Sequence, residues 1–252
     1  MTNTMQYLKR LCEAPNRRQE VKDILTELGV PFKAIKSPEG GRNYVVHFGR
    51  PWVNVYGAHH DRVRPGIPAA NDNGASVAIL LDLVEEMHAT GFPGDLTVLL
   101  LDYEEGLAYG KPGIVGSKHI AKYLMKRHIQ PKSFCILELC GIGDTLMYRN
   151  GHSKCEGPMA RFIVYASKHN MGHPMKCAPL TDTIPSDDAV LQWGGLDSFL
   201  ITMLPAAEVE HYSPTWNRMH TVRDNFESIQ PKTVKAVRDL IYNFVTLVRL
   251  EK

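Results

Sequence analysis

The feature that most constrains this chain is a set of short, continuously apolar stretches recurring between helical ones. LTVLLLDY (96–103), SFCILEL (133–139) and DSFLITML (197–204) show no alternation of polar and apolar residues. Such runs suit strands buried on both faces, as in a parallel sheet covered by helices. WVNVYG (52–57) and runs at 31–36 and 43–48 add further strands. Helical segments fall at about 3–13, 16–29, 72–90, 114–127, 156–170, from Ser186, and at 231–249. Asn16 supplies an N-cap for the second of them and Gly29 ends it. Strands alternating with helices predict an α/β sandwich around a mainly parallel sheet, with ligands outside the carboxyl ends of the strands.

Composition narrows the function classes. The 252 residues are enough for one substantial core, so a single catalytic domain over 1–252 is expected, with the helices of 1–30 packing on it. The net charge of +2, from 29 basic and 27 acidic residues, gives no basic surface for nucleic acid or membrane. The first twenty residues lack the apolar core of a signal peptide, and no stretch approaches the ~18 apolar residues of a membrane span. Five scattered cysteines without a Cys-x-x-Cys pair fit reduced thiols in a cytoplasm, and a cytoplasmic location is expected. Met147, Met203 and Met125 read as core, Glu85-Glu86 as a solvated helix face, and 174–185 as a polar loop.

The residues that carry chemistry sit directly after the strands. Ala58-His59-His60-Asp61 follows WVNVYG, and Asp72 opens the helix after the loop RVRPGIPAAN. Glu104-Glu105 follows LTVLLLDY, Glu138 follows SFCIL, and Met219-His220-Thr221 precedes the last helix. Two histidines with three or four carboxylates form a nitrogen and oxygen donor set suited to Zn²⁺, Co²⁺ or Mn²⁺. Each element alone is weak, since a His-x-Asp triplet or a Glu pair is common. Glu104-Glu105 stands out because a buried strand precedes it, and carboxylates there need a compensating charge.

In order and spacing the set resembles the di-zinc aminopeptidase superfamily: bacterial leucyl aminopeptidases, glutamate carboxypeptidase II and glutaminyl cyclases. The segments that carry the resemblance are GAHHD (57–61), NDNGASVAILLDL (71–83), LLLDYEEG (99–106), GSKHIAKYL (116–124), ILELCG (136–141), PSDDAVLQWGG (185–195) and MHTVRDNFESI (219–229). The resemblance implies a three-layer, zinc-exopeptidase-like fold of the phosphorylase/hydrolase type with a mixed, mainly parallel sheet. It implies two zinc ions per chain: His59 and Glu138 on one, Glu105 and His220 on the other, and Asp72 between them. Asp61 would orient His59, Glu104 would be the general base, and Asp187 would stand behind the ligands. The peptide bond Asp72–Asn73 would be cis, as in relatives.

Departures bear on the substrate. Glu138 stands where most relatives have Asp, Asp188 where they have His or Gln, and Met219 where several carry a Tyr. The oxyanion donor would then come from Tyr212 or another group. The activity implied is removal of N-terminal residues from a peptide or small amide substrate through an activated water. A glutaminyl-cyclase-like cyclotransferase, a non-peptide amidase and a non-catalytic binding module remain open on the same scaffold. Met219 and the absent signal peptide weigh against the cyclotransferase.

Overall fold

The computed structural model describes residues 2–106, 113–149, 156–168, 176–179, 186–211 and 214–247. Helices α1 (Asn3–Glu13) and α2 (Arg17–Glu27) open the chain, followed by strands β1 (Phe32–Lys36), β2 (Arg42–Phe48) and β3 (Asn54–His59). Helix α3 (Ala75–Ala89), β4 (Leu96–Leu101), α4 (Val115–Met125), β5 (Ser133–Leu137), β6 (Thr145–Arg149), α5 (Glu156–Lys168) and β7 (Lys176–Pro179) follow. Helix α6 (Asp187–Trp193), β8 (Phe199–Leu204) and α7 (Pro231–Leu247) complete it.

The eight strands form one mixed sheet in the order β1-β2-β4-β3-β5-β8-β6-β7. Its centre, β4-β3-β5-β8, is parallel, while β1, β2 and β6 join through antiparallel pairings. The continuous apolar runs have the cause expected of them: all six residues of β4, all five of β5 and all six of β8 are buried. Successive side chains point to opposite faces, so each strand feeds two cores. Val98 and Leu100 face the core of α1, α2, α3, α5 and α7, whereas Leu99 and Leu101 face the core of α4 and α6. Helix α1 packs on α3, and α3 packs on α7. The result is a three-layer α/β fold. No described helix is long and apolar enough to cross a membrane.

Several expectations need correction. Strand β7 lies within the stretch read as a polar loop, and β6 was not anticipated; both are short, and β7 is an edge strand. Met147 and Met203 are core, but Met125, at the end of α4, is 45% exposed. Glu85 and Glu86 are half-buried: Tyr7 Oη donates to Glu85 at 2.8 Å and Arg238 pairs with Glu86, tying α1 and α7 to α3. Among the described cysteines, Cys12, Cys135, Cys140 and Cys177 form no disulfide.

Candidate metal centre

Because β3, β4, β5 and β8 run parallel, the loops after them open at one edge of the sheet. His59 is the last residue of β3, and Glu104 and Glu105 lie three and four residues beyond β4. Glu138 follows β5 directly, and His220 lies in the connection from β8 to α7. Asp72 sits in a tight turn, residues 70–74, that leads into α3. Its peptide bond to Asn73 is cis.

These side chains converge. His59 Nε2 is 3.2 Å from Asp72 Oδ1 and 3.2 Å from Glu138 Oε1. His220 Nε2 is 3.2 Å from Asp72 Oδ2 and 3.1 Å from Glu105 Oε1. Asp72 thus divides its two oxygens between two groups, His59–Asp72–Glu138 and Asp72–Glu105–His220. Within each, the donor atoms lie within 4.8 Å of one another, so that one metal ion could be held. Asp61 lies behind them: Oδ1 is 3.4 Å from His59 Nδ1, and its two oxygens accept the Glu104 and Glu105 backbone N–H groups at 3.0 Å each. Asn73 Nδ2 donates to Glu138 Oε2 at 3.2 Å and to Leu137 O at 2.8 Å.

The backbone around the site is unusual. Ala69 (φ 50°), Tyr103 (φ 61°), Leu139 (φ 53°) and His220 (φ 61°) all adopt the left-handed region although none is glycine. Each is one of the converging residues or lies within three positions of one. Non-glycine residues hold such conformations where surrounding structure over-determines them, and they gather at functional sites. Gly141 serves another need: a Cβ there would lie 2.7 Å from Asn71 Oδ1, the atom that accepts the Gly141 N–H at 2.8 Å. That close approach locks the loop after β5 against the Asp72 turn.

Electrostatics favour a cation here. Burial pushes Glu105 up to about 6 against the pull of His220, and it raises Glu138 against the pull of His59. Burial, reinforced by Asp187, Glu138 and Glu105, holds Glu104 well above the usual carboxylate range. Asp187, fully buried at the start of α6, is raised to about 7. His59 is drawn the other way: burial disfavours its charge, but Glu138, Asp61 and Asp72 outweigh it and raise its pKa well above normal. Asp72 and Glu105 likewise raise His220 to about 10. Glu105 Oε1 is buried, with His220 Nε2 beside it at 3.1 Å. Carboxylates crowded in a buried site call for positive charge that imidazoles supply only by protonation. A divalent ion in each group fits that demand and the donor types.

Between these groups and solvent lies a cleft of about 310 Å³, whose walls include Glu104, Ile114, Leu200, Trp216 and Met219. Arg149 also faces it, held by Asp188, which accepts from Nε at 3.1 Å and Nη2 at 2.6 Å. The Asp at position 188 therefore has a consequence that the sequence did not disclose. Tyr212 lies outside the described residues. Asp224, overlooked in the sequence, accepts the backbone N–H groups of Asn71 and Asp72 at 2.7 and 3.0 Å. Its sequence signal is its place four residues after His220, inside the segment 219–229 that carries the resemblance.

Solved structures share this architecture. An aminopeptidase of Legionella pneumophila, LapA, superposes with a TM-score of 0.76 at 15% identity, over 96% of this chain and 70% of its own. A glutaminyl cyclase of Porphyromonas gingivalis gives 0.76 at 18% identity, over 97% and 96%. A Zn-dependent exopeptidase from Parabacteroides distasonis gives 0.76 at 16%, over 96% of each. At these identities the likeness establishes the fold. Among curated proteins, none matches the chain in sequence. The family model of Peptidase family M28 matches residues 45–245, from β2 to α7, so it takes in every one of the converging residues. The chain belongs to Peptidase family M28.

Proposed function

We propose that the chain is a dinuclear zinc hydrolase that removes N-terminal residues from peptides or small amides. The observation that carries this reading is the division of Asp72, each oxygen 3.2 Å from a different histidine. One shared carboxylate between two ligand groups is the arrangement a two-metal site needs. His59 and Glu138 would hold one ion and Glu105 and His220 the other, with Asp72 belonging to both groups. Zinc suits the donors best among metals of this kind, and cobalt or manganese suits them too. When bound, the pair of ions supplies a lowered water pKa and an electrophile for the scissile carbonyl.

The chain's own groups do the rest. Glu104 belongs to neither ligand group, lines the cleft and sits in surroundings that favour holding a proton. It takes the proton of the attacking water and returns it to the leaving amine. Asp61 orients His59 and, by gripping two successive N–H groups, fixes the backbone that separates base from ligand. Ile114, Leu200, Trp216 and Met219 give the cleft an apolar wall for the substrate side chain.

The test joins metal analysis of the purified chain to a substrate panel of aminoacyl amides, N-blocked peptides and peptides beginning with Gln. Two ions per chain, with free amino acids released from unblocked substrates only, is the expected result. Cyclisation of N-terminal Gln with loss of ammonia would replace hydrolysis by cyclotransfer. Turnover of N-blocked amides would make the chain an amidase. Bound metal with no turnover of any substrate would leave a binding module.

A further inference from the structure

The turn that carries Asp72 leaves the amides of its first three residues without a local acceptor, although Gly74 N donates to Ala69 O at 3.1 Å. Ala69 adopts a left-handed conformation, and Asp72 (φ −112°, ψ 84°) and Asn73 (φ −129°, ψ 35°) are non-helical, so residues 70–72 stand ahead of α3 with three successive N–H groups facing one way. No local side chain caps them. All three end on one residue about 150 positions away: Ala70 N donates to Asp224 O at 3.1 Å, Asn71 N to Asp224 Oδ1 at 2.7 Å and Asp72 N to Asp224 Oδ2 at 3.0 Å. Asp224 is 1% exposed. Its own N–H donates to Thr221 O at 3.1 Å, closing a turn that begins one residue after His220.

We infer that Asp224 is a positioning residue that joins the loop bearing His220 to the turn bearing Asp72, so that the second ligand group is set as one unit. This rests on the proposed metal centre. A carboxylate that accepts two adjacent backbone N–H groups fixes direction as well as distance, because both oxygens are used. Asp72 spends its side chain on the two histidines, while its backbone is held from behind by the loop that delivers one of them. His220 is half exposed and has a left-handed backbone, so the loop needs this anchor more than the strand-end His59 does. Asp224 belongs to neither ligand group and does not line the cleft.

The experiment is calorimetric titration of Zn²⁺ into the full chain stripped with a chelator. Wild type should show two binding events, and His220→Ala identifies which belongs to the Glu105–His220 group. Asp224→Asn keeps the shape but puts an amide donor against one of the two N–H groups that the carboxylate accepts. It should weaken that event about 10–100-fold, the usual cost of losing an outer partner of a ligand, while the His59–Glu138 event moves less. Asp224→Glu keeps the charge but displaces the carboxylate and should weaken the same event. Wild-type affinity in Asp224→Glu would reduce the role to charge alone and overturn the inference, as would a folded Asp224→Asn that binds both ions unchanged. Should the variants not fold, hydrogen exchange on wild type decides. Amides of 70–72 and 221–224 should gain protection at the same zinc equivalent, and gains at different equivalents would overturn the coupling. A wild-type chain that takes up no ion fails the metal-centre reading itself, a result distinct from two ions bound with Asp224 indifferent.

Discussion

The two ligand groups share Asp72 but are built in opposite ways. In the first, His59 ends a central strand, Glu138 follows the next one, and their side chains are 1% and 13% exposed. In the second, Glu105 is buried at 6%, but His220 stands in a loop with its side chain 49% exposed. Strand ends are placed by the sheet, whereas a loop residue must be tied down by contacts of its own. The difference teaches that affinity for the two ions should be unequal even though the donor types are nearly the same. The chemistry between them should depend on both.

The largest expected effect sharpens that last point. Glu104→Gln retains size but cannot take the water's proton, so turnover should fall on the order of 10²–10⁴-fold. Both ions should remain bound, as metal analysis of the variant would record. Unchanged turnover would remove Glu104 from the mechanism.

The next pair breaks the comparison directly. His220→Ala should lose one ion, with activity returning in part at high zinc or cobalt, since the emptied site is the more exposed of the two. His59→Ala empties a buried position and should not be recovered by added metal. Equal recovery of both would mean that burial does not separate the groups.

A smaller effect is expected at Asp61. Asp61→Asn disturbs the partner of His59 Nδ1 and one of the two N–H acceptors for Glu104 and Glu105. Affinity should fall about 10–100-fold, mainly at the His59 group. A loss confined to the His220 group would reverse the assignment.

The smallest effect lies away from both groups. Asn16 caps α2 by accepting the Gln19 N–H at 3.1 Å. Asn16→Ala should cost about 1 kcal/mol of stability in a denaturant titration and leave metal affinity untouched. A change in affinity would mean that the N-terminal helices bear on the centre.

How much of this was legible in the sequence follows from the kind of force involved. Strands β4, β5 and β8 could be read because burial on two faces leaves uninterrupted apolar runs. Strand β7, four residues at the edge, leaves no such mark, and the polar surroundings hid it. The converging residues could be read because acids and histidines after buried strands have few other reasons to be there. Asp224 could not, because its value comes from three N–H groups far along the chain. Nor could the pairing of Asp188 with Arg149, which depends on β6 lying beside β8. Glu85 and Glu86 show the converse, since a charge pair on a helix looks solvated until the helices covering it are known.

The central claim is that one carboxylate is shared by two ions. Anomalous diffraction from crystals of the zinc-loaded protein, recorded at the zinc edge, tests it most directly. The account predicts two peaks about 3.5–4 Å apart, one against His59 and Glu138, the other against Glu105 and His220, with Asp72 touching both. A single peak, or two peaks that do not share Asp72, would contradict it.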